Sequence, residues 1–329
     1  MHVGLIYDVF DAYPWRPDDP PDADAEYEPE ETVEVLADAL LALGHTPVSI
    51  GTARDLLSVL PSLEIDAAIS IAEGARSRNR EAYAPILLEM AGIPFLGSDA
   101  LTLSLSLDKA WTKDLAIAAA VPTPAYRVYT SAQDVEADNL PAFPLFVKPR
   151  YEGTSKGITA ESKVTSVKAL RAQVDQVTAT YRQDALVETF VEGGGEFTVA
   201  VIGNDPAEAL PVMQRAVEAT TRIGLHALEH RGLPQQDWDY ILGGSLEPAL
   251  EKTLQAHALA IYHKLDCKDF ARIDFRVDAE GEPWFLEINP LPTFAPDGTF
   301  AIVAELVGQS YADFLAEVLA RGFRRLGFR

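Results

Sequence analysis

The sequence predicts an α/β protein built from several lobes. Short apolar runs alternate with helical segments over the first hundred residues, which is typical of an open parallel sheet. A chain of 329 residues is also longer than one small core requires, so two or three lobes are expected. Finally, the stretch "FARIDFRVDAEGEPWFLEINP" at 270–290 predicts two short strands folded on a turn.

The first hundred residues predict one lobe. The run "HVGLIYDVF" predicts a buried strand, and the Pro/Asp-rich residues 11–31 predict a loop. In "ETVEVLADALLALGH" the apolar residues have helical spacing, Val33, Leu36, Leu40 and Leu43, and Gly44 is the expected helix stop. The runs "TPVSI" and "IDAAISIA" predict further strands, and "EAYAPILLEMAGIPFLGSD" predicts a helix followed by a strand.

Two further regions follow along the chain. The segment "SLDKAWTKDLAIAAAVPTPAYRVY" predicts a helix and a Pro-bounded link into "PLFVKPRYEGTSKGI". From "DALVETFVEGGGEFTVAVIGN" a third region runs through the hairpin to the helix "SYADFLAEVLARG". The predicted domains are therefore 1–107, 108–187 and 188–329.

Composition restricts the class of protein. Apolar residues make up 48% of the chain, yet no stretch approaches the ~20 apolar residues of a membrane span. The start "MHVGLIYDVF" has no basic region of the kind that opens a signal peptide. The single cysteine, Cys267, cannot form an internal disulfide and is expected to be a small core residue. These features favour a cytoplasmic enzyme.

The charge balance argues against polyanionic partners. Lys and Arg number 27 against 50 Asp and Glu, a formal net charge of −23, so neither nucleic acid nor an anionic membrane is expected as a partner. An acid-rich, lysine-poor surface is compatible with a salt-rich environment, a hypothesis that requires stability to rise with added salt.

The hairpin at 270–290 carries acids on one face. Its apolar side chains alternate and are expected to enter a core: Ile273, Phe275, Val277, Trp284, Leu286 and Ile288. The side chains between them then share the opposite face. A turn centred on Glu280-Gly281 places Asp274 opposite Glu287 and Arg272 opposite Asn289.

Facing carboxylates repel by roughly 0.2–1 kcal/mol across a strand pair. A divalent cation would reverse that sign, and two carboxylates with an amide form an oxygen-only set that suits Mg²⁺. The alternative is a solvated sheet face, which most charged alternations are. The abrupt Asn-Pro end of the second strand favours the metal site.

Three other segments carry candidate binding residues. The loop in "FPLFVKPRYEGTSKGI" (143–158) combines glycines and hydroxyls with Lys148, a composition that suits a phosphate-binding loop. The same composition is also typical of a glycine-rich hairpin tip. In "DALVETFVEGGGEFTVAVIG" (184–203), Glu188 and Glu196 flank a segment that can offer its backbone to an adenine edge and a carboxylate to a ribose, or can form an ordinary β-turn-β. Lys109 opens a helix, where a lone lysine is usually solvated.

The order of these segments resembles the ATP-grasp superfamily. The blocks are Lys109 in "LDKAWTK", Lys148 in "FVKP", then "YEGTSKGI", "LVETFVEGGGEFTVAVIG" and "ARIDF…FLEIN". Within that superfamily the chain is similar to the D-alanine–D-alanine ligase family, as a divergent member. The resemblance implies three α/β lobes, an N-terminal open parallel-sheet (preATP-grasp) lobe among them, with ATP clasped between the central and C-terminal lobes.

The resemblance also implies a role for each site residue. Lys109 and Lys148 would contact ATP phosphates, and Thr154 and Ser155 would lie in the loop that closes over them. Glu188, Phe190 and Val191 would line the adenine pocket, and Glu196 would hold the ribose. Two Mg²⁺ ions, with Mn²⁺ as a substitute, would bind Asp274, Glu287 and Asn289. Catalytic roles would fall to Arg272, beside the developing charge, and to Ser155.

The implied reaction is an ATP-dependent ligation of a carboxylate to an amine. The carboxylate takes the γ-phosphoryl group to form an acylphosphate, and an amine then displaces phosphate. The substrates would be small amino acids, D-alanine first among them as in peptidoglycan synthesis. The alternatives are another amino-acid or small-metabolite pair, or a nucleotide-binding protein without ligation. A homodimer is compatible with the resemblance.

The chain departs from the family on the amino-acid side. Thr293 replaces a glycine whose amide helps to form the oxyanion hole, and Glu73-Gly74 replaces a His-Gly. Glu26 or Glu28 would have to serve as the ammonium-binding Glu of the family. A Lys-Tyr pair is not recognisable in the segment 216–240. His226 and His230, four residues apart, offer a metal site only if a third ligand exists.

Overall fold

The computed structural model describes residues 1–229, 237–242 and 246–328. Its helices are α1 (Glu30–Ala42), α2 (Ala53–Val59), α3 (Tyr83–Ala91), α4 (Ala100–Leu107), α5 (Lys109–Ala118), α6 (Val167–Tyr181), α7 (Leu225–Leu228), α8 (Pro248–Lys264), α9 (Thr299–Leu306) and α10 (Tyr311–Arg325). No helix of these residues is long and apolar enough to cross a bilayer.

The strands are β1 (His2–Tyr7), β2 (Thr46–Gly51), β3 (Ala67–Ile71), β4 (Phe95–Leu96), β5 (Tyr126–Tyr129), β6 (Leu145–Pro149), β7 (Lys163–Val164), β8 (Ala185–Thr189), β9 (Gly193–Gly203), β10 (Ala207–Ala209), β11 (Met213–Arg215), β12 (Val217–Glu218), β13 (Tyr240–Ile241), β14 (Phe270–Asp278) and β15 (Pro283–Asn289). Apart from the short pair β12–β13, they form three sheets in chain order.

The first sheet is the open parallel sheet that the sequence predicts. Its order is β2-β1-β3-β4, and each neighbouring pair is parallel. Helix α1 starts after Pro29 with two acidic residues in its first turn, where they face the positive end of the helix dipole. The chain leaves this helix through Gly44, whose φ of +75° a glycine adopts without strain. Leu36 and Leu40 of α1 share a core with Phe314 of α10, so the first and last helices hold this lobe to the end of the chain.

The second sheet is antiparallel, in the order β5-β8-β6-β7. Helix α6 covers one face, where Leu170 and Val174 meet Leu145, Val147 and Val187 in one core. The opposite face, which carries Phe146 and Lys148, is free of α6. The alternation along β6 therefore separates the core from the site.

The third sheet is antiparallel, in the order β10-β9-β14-β15, with β11 also on β9. Helix α8 packs on one face, where Ile261 and Tyr262 meet Ile273, Phe275 and Phe285. Helix α5 also packs on β15, because Ala116 belongs to the same core. The predicted domain division stays a prediction.

A β-bulge changes the predicted face pattern of β15. The turn forms as expected, with Gly281 at a φ of +89°. However, the register shifts between Asp274 and Phe275, so that Phe275 pairs with Phe285 and Leu286 is the extra residue. Phe285 is therefore fully buried, and the prediction that Trp284 and Leu286 enter the core is wrong.

The predicted core residues on either side of the bulge are confirmed. All four are at most 3% exposed: Ile273, Phe275, Val277 and Ile288. The Pro/Asp-rich segment 11–31 has irregular backbone apart from short turns and the start of α1, in agreement with the predicted loop.

Candidate active site

A narrow cleft separates the free face of the second sheet from the β14–β15 hairpin. Its side chains come from β6, the loop after it, β8 and the hairpin, and they include Lys148, Ser155, Phe190, Asp274 and Glu287. Distant segments of the sequence thus meet at one place. The cavity measures about 70 Å³. Pockets that enclose a drug-sized ligand hold about 300–1,000 Å³, so a large ligand requires the walls to move apart.

The apolar end of the cleft contains two stacked rings. Phe146 and Phe190 lie with centroids 5.5 Å apart and planes inclined by 24°. Val191 and Leu286 line the same end, which is the place that the bulge gives to Leu286. Among the described residues, the backbone N–H of Val191 has no hydrogen-bond acceptor. An apolar slot with an available backbone donor suits the plane and the edge of an aromatic base.

Glu188 lies between two buried lysines. Its carboxylate is 2.8 Å from Nζ of Lys148 and 2.6 Å from Nζ of Lys113. Burial lowers the pKa of Lys113 to about 8, although Glu188 opposes that shift. Burial alone would raise the pKa of Glu188, but the two lysines hold it below its usual value. Glu188 therefore anchors cations and does not reach into the slot as a free carboxylate.

Lys113 was missed in the sequence, although a signal for it exists. It follows Lys109 by four residues on α5, so both side chains share one helix face. Helix α5 is fixed by Asp108, which caps it and accepts two hydrogen bonds from the Arg150 guanidinium, both 2.8 Å long. Because Arg150 follows β6, this pair ties the start of α5, and hence Lys109, to the loop below Lys148.

The hairpin acids have the predicted register. Asp274 pairs with Glu287, and Arg272 pairs with Asn289. The carboxylate of Asp274 accepts hydrogen bonds from Oγ of Thr198 at 2.6 Å and from Nε of Arg272 at 3.0 Å. These side chains share one face, as the alternation predicts.

Cations surround the second carboxylate as well. Glu287 is 3.0 Å from Nζ of Lys109. Burial would raise the pKa of Glu287, but Lys109, Lys148 and Arg272 together hold it well below its usual range. Both hairpin carboxylates thus have a cationic partner, and those side chains can also meet anionic phosphate oxygens.

The donor set fits a hard divalent cation. Among the described residues no group of three or more His, Cys, Asp or Glu side chains is placed to hold a metal ion, so the available ligands are the carboxylates of Asp274 and Glu287 with the amide of Asn289. Oxygen-only ligands of this kind suit Mg²⁺, which retains waters and substrate oxygens in its remaining positions. The Asn289 Oδ1 accepts the Leu291 N–H at 3.0 Å, which fixes the direction of its amide.

The loop after β6 lines the cleft and is bound on its other side by the segment 11–31. Thr154 and Ser155 have φ values of +45° and +56°, a left-handed conformation that non-glycine residues rarely adopt. Gly153 donates its N–H to Glu26 at 2.5 Å, and Gly157 donates to Asp22 at 2.8 Å. A Cβ added at Gly153 would stand 2.9 Å from the Glu26 Oε1, so a larger residue there would displace that carboxylate.

More contacts reinforce this attachment. Lys156 binds Glu26 at 2.8 Å, and Arg80 binds the same carboxylate at 2.5 Å. Tyr181 donates to Asp22 at 2.8 Å. Burial would raise the pKa of Glu26, but Arg80 and Lys156 hold it below its usual range. Glu26 is therefore a fixed anion between the N-terminal lobe and the loop.

A second, smaller cavity of about 30 Å³ continues the site past Lys109 and Arg272. Thr154 and Asn289 line it, and so do three acids from the N-terminal lobe: the buried Glu26 and Glu81 and the half-buried Glu73. Burial and the neighbouring Glu81 raise the pKa of Glu73. Burial raises the pKa of Glu81 to about 7, against the field of Arg80.

Glu28 and Thr293 lie together near this end. The Thr293 hydroxyl donates to Glu28 at 2.9 Å, and so does the Thr32 hydroxyl. Burial raises the pKa of Glu28 despite both hydrogen bonds. Glu26 lines the second cavity and Glu28 holds the Thr293 loop, so the two acids that the sequence could not separate have different surroundings.

Glu196 lies at the apolar end beside Arg276, which the sequence analysis missed. The Arg276 Nη1 is 3.2 Å from Glu196, and the His226 Nε2 is 3.4 Å from it. Arg276 follows Arg272 and Asp274 at the spacing of two that places residues on one strand face, and that spacing was the available signal. His230 lies outside the described residues, so the alternative metal site with His226 has no structural account.

Comparison with known proteins identifies the family. Residues 115–320 match the family described as "D-ala D-ala ligase C-terminus". A D-alanine–D-alanine ligase of Cupriavidus taiwanensis is 35% identical over 236 residues, which cover 71% of this chain and 69% of the relative. The chain belongs to the D-alanine–D-alanine ligase family.

Two further comparisons give another relative and the fold. "Uncharacterized protein y4sG" of Sinorhizobium fredii is 32% identical over 256 residues, covering 78% of this chain and 74% of that protein. The crystal structure of a Bacillus anthracis D-alanine–D-alanine ligase complexed with ATP superposes with a TM-score of 0.74 at 21% identity, covering 98% of each chain. The predicted ATP-grasp fold is confirmed, and the chain is an ATP-dependent ligase of the D-alanine–D-alanine ligase type.

Proposed function

We propose that the cleft binds ATP and joins the carboxylate of one amino acid to the amine of a second. The observation that carries this proposal is the convergence of Lys109, Arg272 and the paired acids Asp274 and Glu287 on one surface, next to an apolar slot. A nucleotide base needs the apolar slot, and a triphosphate and a reacting carboxylate need the adjoining surface of cations and acids.

The apolar end suits the nucleotide base. Phe146 and Phe190 would border its plane, and the Val191 N–H would donate to its edge. Glu196, at the rim of the slot, would accept from ribose hydroxyls. Lys148 would pass along the phosphates, with Glu188 holding its ammonium in place. Thr154 and Ser155 would close over the phosphates from the loop.

Two Mg²⁺ ions, or Mn²⁺ in their place, would bind between Asp274, Glu287 and Asn289. They would neutralise charge on the transferring phosphoryl group. Lys109 would exchange its pairing with Glu287 for a phosphate oxygen, a small movement for a flexible side chain that starts 3.0 Å away. Arg272 would remain beside the reacting centre and stabilise the charge that develops there.

The reaction balances in two steps. An oxygen of the first carboxylate attacks the γ-phosphorus, the bond to the β-phosphate oxygen breaks, and ADP and an acylphosphate result. The amine of the second substrate, after losing a proton, attacks the acyl carbon and phosphate leaves. Closure of the loop 151–157 would keep water from the acylphosphate, which water would otherwise hydrolyse.

The substrates are small amino acids, with a pair of D-alanines as the first candidate. Two observations favour a different pair as the second candidate. Thr293 stands where the family has a glycine, and its hydroxyl is bound to Glu28. Glu73 replaces a histidine and adds a carboxyl group to the second cavity. A cytoplasmic location and a homodimer stay predictions.

The test is ATP-dependent release of phosphate with Mg²⁺ and a panel of D- and L-amino acids, singly and in pairs, together with detection of the ligated product. Product only with D-alanine supports the first candidate, and product with another pair supports the second. The Asp274→Asn variant, nearly equal in size, is the matched control and is expected to lose turnover. Nucleotide binding without product from any pair would overturn the ligase proposal.

A further inference from the structure

Arg276 is a buried arginine whose contacts lie at the apolar end of the cleft. Its residue surface is 5% exposed. Its Nε donates to the carbonyl of Val191 at 2.8 Å, and its Nη2 donates to the carbonyl of Arg222 at 2.9 Å. The guanidinium also lies 4.4 Å from the centroid of the Phe190 ring, while Nη1 reaches Glu196. One side chain thus connects the base slot, the rim acid and the segment before α7.

The segment that Arg276 contacts is rich in glycine. Between Val191 and Glu196 the chain runs through three consecutive glycines, and Gly193 and Gly195 have φ values of +117° and +108°. Glycine has wide conformational freedom and no side chain to pack, so the segment is held by its pairing with β14 and by side chains from other elements. Arg276, on the long strand β14, supplies a fixed point from outside.

We propose that Arg276 is a positioning residue that fixes the base-binding segment 190–196 and thereby sets nucleotide affinity and base selectivity. It holds the Val191 peptide, which presents the N–H to the base edge, and it orients Glu196 toward the ribose. This inference rests on the nucleotide-binding part of the proposed function and is independent of which amino acids are joined.

The chemistry explains why arginine is used there. A planar guanidinium presents donors in several fixed directions and stacks on a ring, whereas an ammonium does neither and a thioether donates nothing. A buried guanidinium is also expensive to desolvate, so this one requires its full set of partners. The Val191 peptide and Glu196 would bind the base and the ribose equally well in the ground state and in the transition state. Loss of Arg276 should therefore raise KM for ATP and leave kcat nearly unchanged.

The experiment compares Arg276→Met and Arg276→Lys with the wild type and with Arg127→Met. Arg127 is an exposed arginine of β5 that binds Asn139, so its replacement controls for the loss of one charge. The affinities for ADP and GDP are measured by calorimetry, which requires no ligase activity, and thermal unfolding reports whether each variant is folded. KM and kcat are measured wherever a product forms.

We expect Arg276→Met to bind ADP about tenfold more weakly or worse, and to lose part of its preference for ADP over GDP. Arg276→Lys should fall between it and the wild type, and Arg127→Met should match the wild type. Unchanged ADP affinity in a folded Arg276→Met would overturn the proposal, as would a fall in kcat without any loss of affinity. If Arg276→Met does not fold, wild-type ADP affinity and selectivity in Arg276→Lys would overturn it as well.

Failure of the ligase proposal has a different signature. In that case ADP binding would still respond to Arg276 while no amino-acid pair gave product. If the wild type itself did not bind ADP, the nucleotide-binding part of the proposed function would be wrong.

Discussion

Asp274 lies directly opposite Glu287 on the β14–β15 hairpin, and each carboxylate has its own cation: Arg272 for Asp274 and Lys109 for Glu287. Opposed like charges alone would cost roughly 0.2–1 kcal/mol. The protein therefore places a cation beside each of the facing acids, from β14 for Asp274 and from α5 for Glu287. If Lys109 moved from Glu287 to a phosphate oxygen, as proposed, the Glu287 carboxylate would be free to bind a metal ion together with Asp274.

Asn289→Ala removes the amide from the proposed metal set. We expect turnover to fall by about 100-fold or more, with a higher Mg²⁺ concentration needed for half-maximal rate, because one of three protein ligands is lost. Initial rates across a Mg²⁺ titration measure this change. Exposed Asn139→Ala is the control, and an unchanged Mg²⁺ dependence in Asn289→Ala would count against the metal assignment.

Arg272→Met tests the role of the guanidinium beside the reacting centre. If its contact strengthens chiefly in the transition state, kcat should fall by about 100-fold or more while affinity for ADP changes by less than about threefold. Steady-state kinetics and calorimetry give the two values. Equal losses in kcat and ADP affinity would mean that Arg272 binds nucleotide in the ground state.

Asp22→Asn weakens the attachment of the segment 11–31 to the loop. Asp22 accepts from the Gly157 N–H and from Tyr181, so its neutral analogue should hold the loop less firmly. We expect water to reach the acylphosphate more often, which raises phosphate released per product at least about twofold. Both quantities are measured in one reaction. The exposed Asp11→Asn serves for comparison, and a ratio equal to the wild type in Asp22→Asn would argue that the segment has no part in closure.

Glu81→Gln tests the buried acid of the N-terminal lobe through pH. With its pKa raised from the usual 4.5 to about 7, Glu81 keeps a proton in the folded state that the unfolded chain releases. The folded state is therefore favoured at low pH, and its stability falls as pH rises from 4.5 to about 7.

The Gln variant should lack this fall and be more stable than the wild type at about pH 8, by on the order of 1–3 kcal/mol. Denaturant unfolding at about pH 4.5 and pH 8 measures the difference, with exposed Glu64→Gln as the control. A variant less stable than the wild type at about pH 8 would contradict the raised pKa.

The sequence predicted what depends on short-range pattern. The pairing of Arg272 with Asn289 and of Asp274 with Glu287 came from an alternation of two residues, and the start of α5 at Lys109 came from one apolar run. The parallel order of the first sheet followed from the alternation of strands with helices. Family motifs then placed Lys148, Phe190 and Val191 around one cleft.

Long-range contacts could not be read in this way. The sequence around Glu188 does not indicate that Lys113 is its partner. The Pro/Asp-rich segment likewise does not indicate that Asp22 binds Gly157 or that Glu26 binds Gly153. Trp284 and Leu286 were assigned to the core because strict alternation has no place for an extra residue. Arg276 continues the spacing of two set by Arg272 and Asp274, but no motif in the sequence marks it as part of the site.

The single extra residue at Leu286 determines which sequence changes strand β15 can tolerate. It puts two neighbouring side chains, Leu286 and Glu287, on the ligand side, while Phe285 and Ile288 on either side of them remain in the hydrophobic interior. Deleting one residue here would restore a regular strand but would turn either the acid or a core ring to the wrong side. Variation that alters length at this point should therefore be far less tolerated than substitution of Leu286 by another apolar residue.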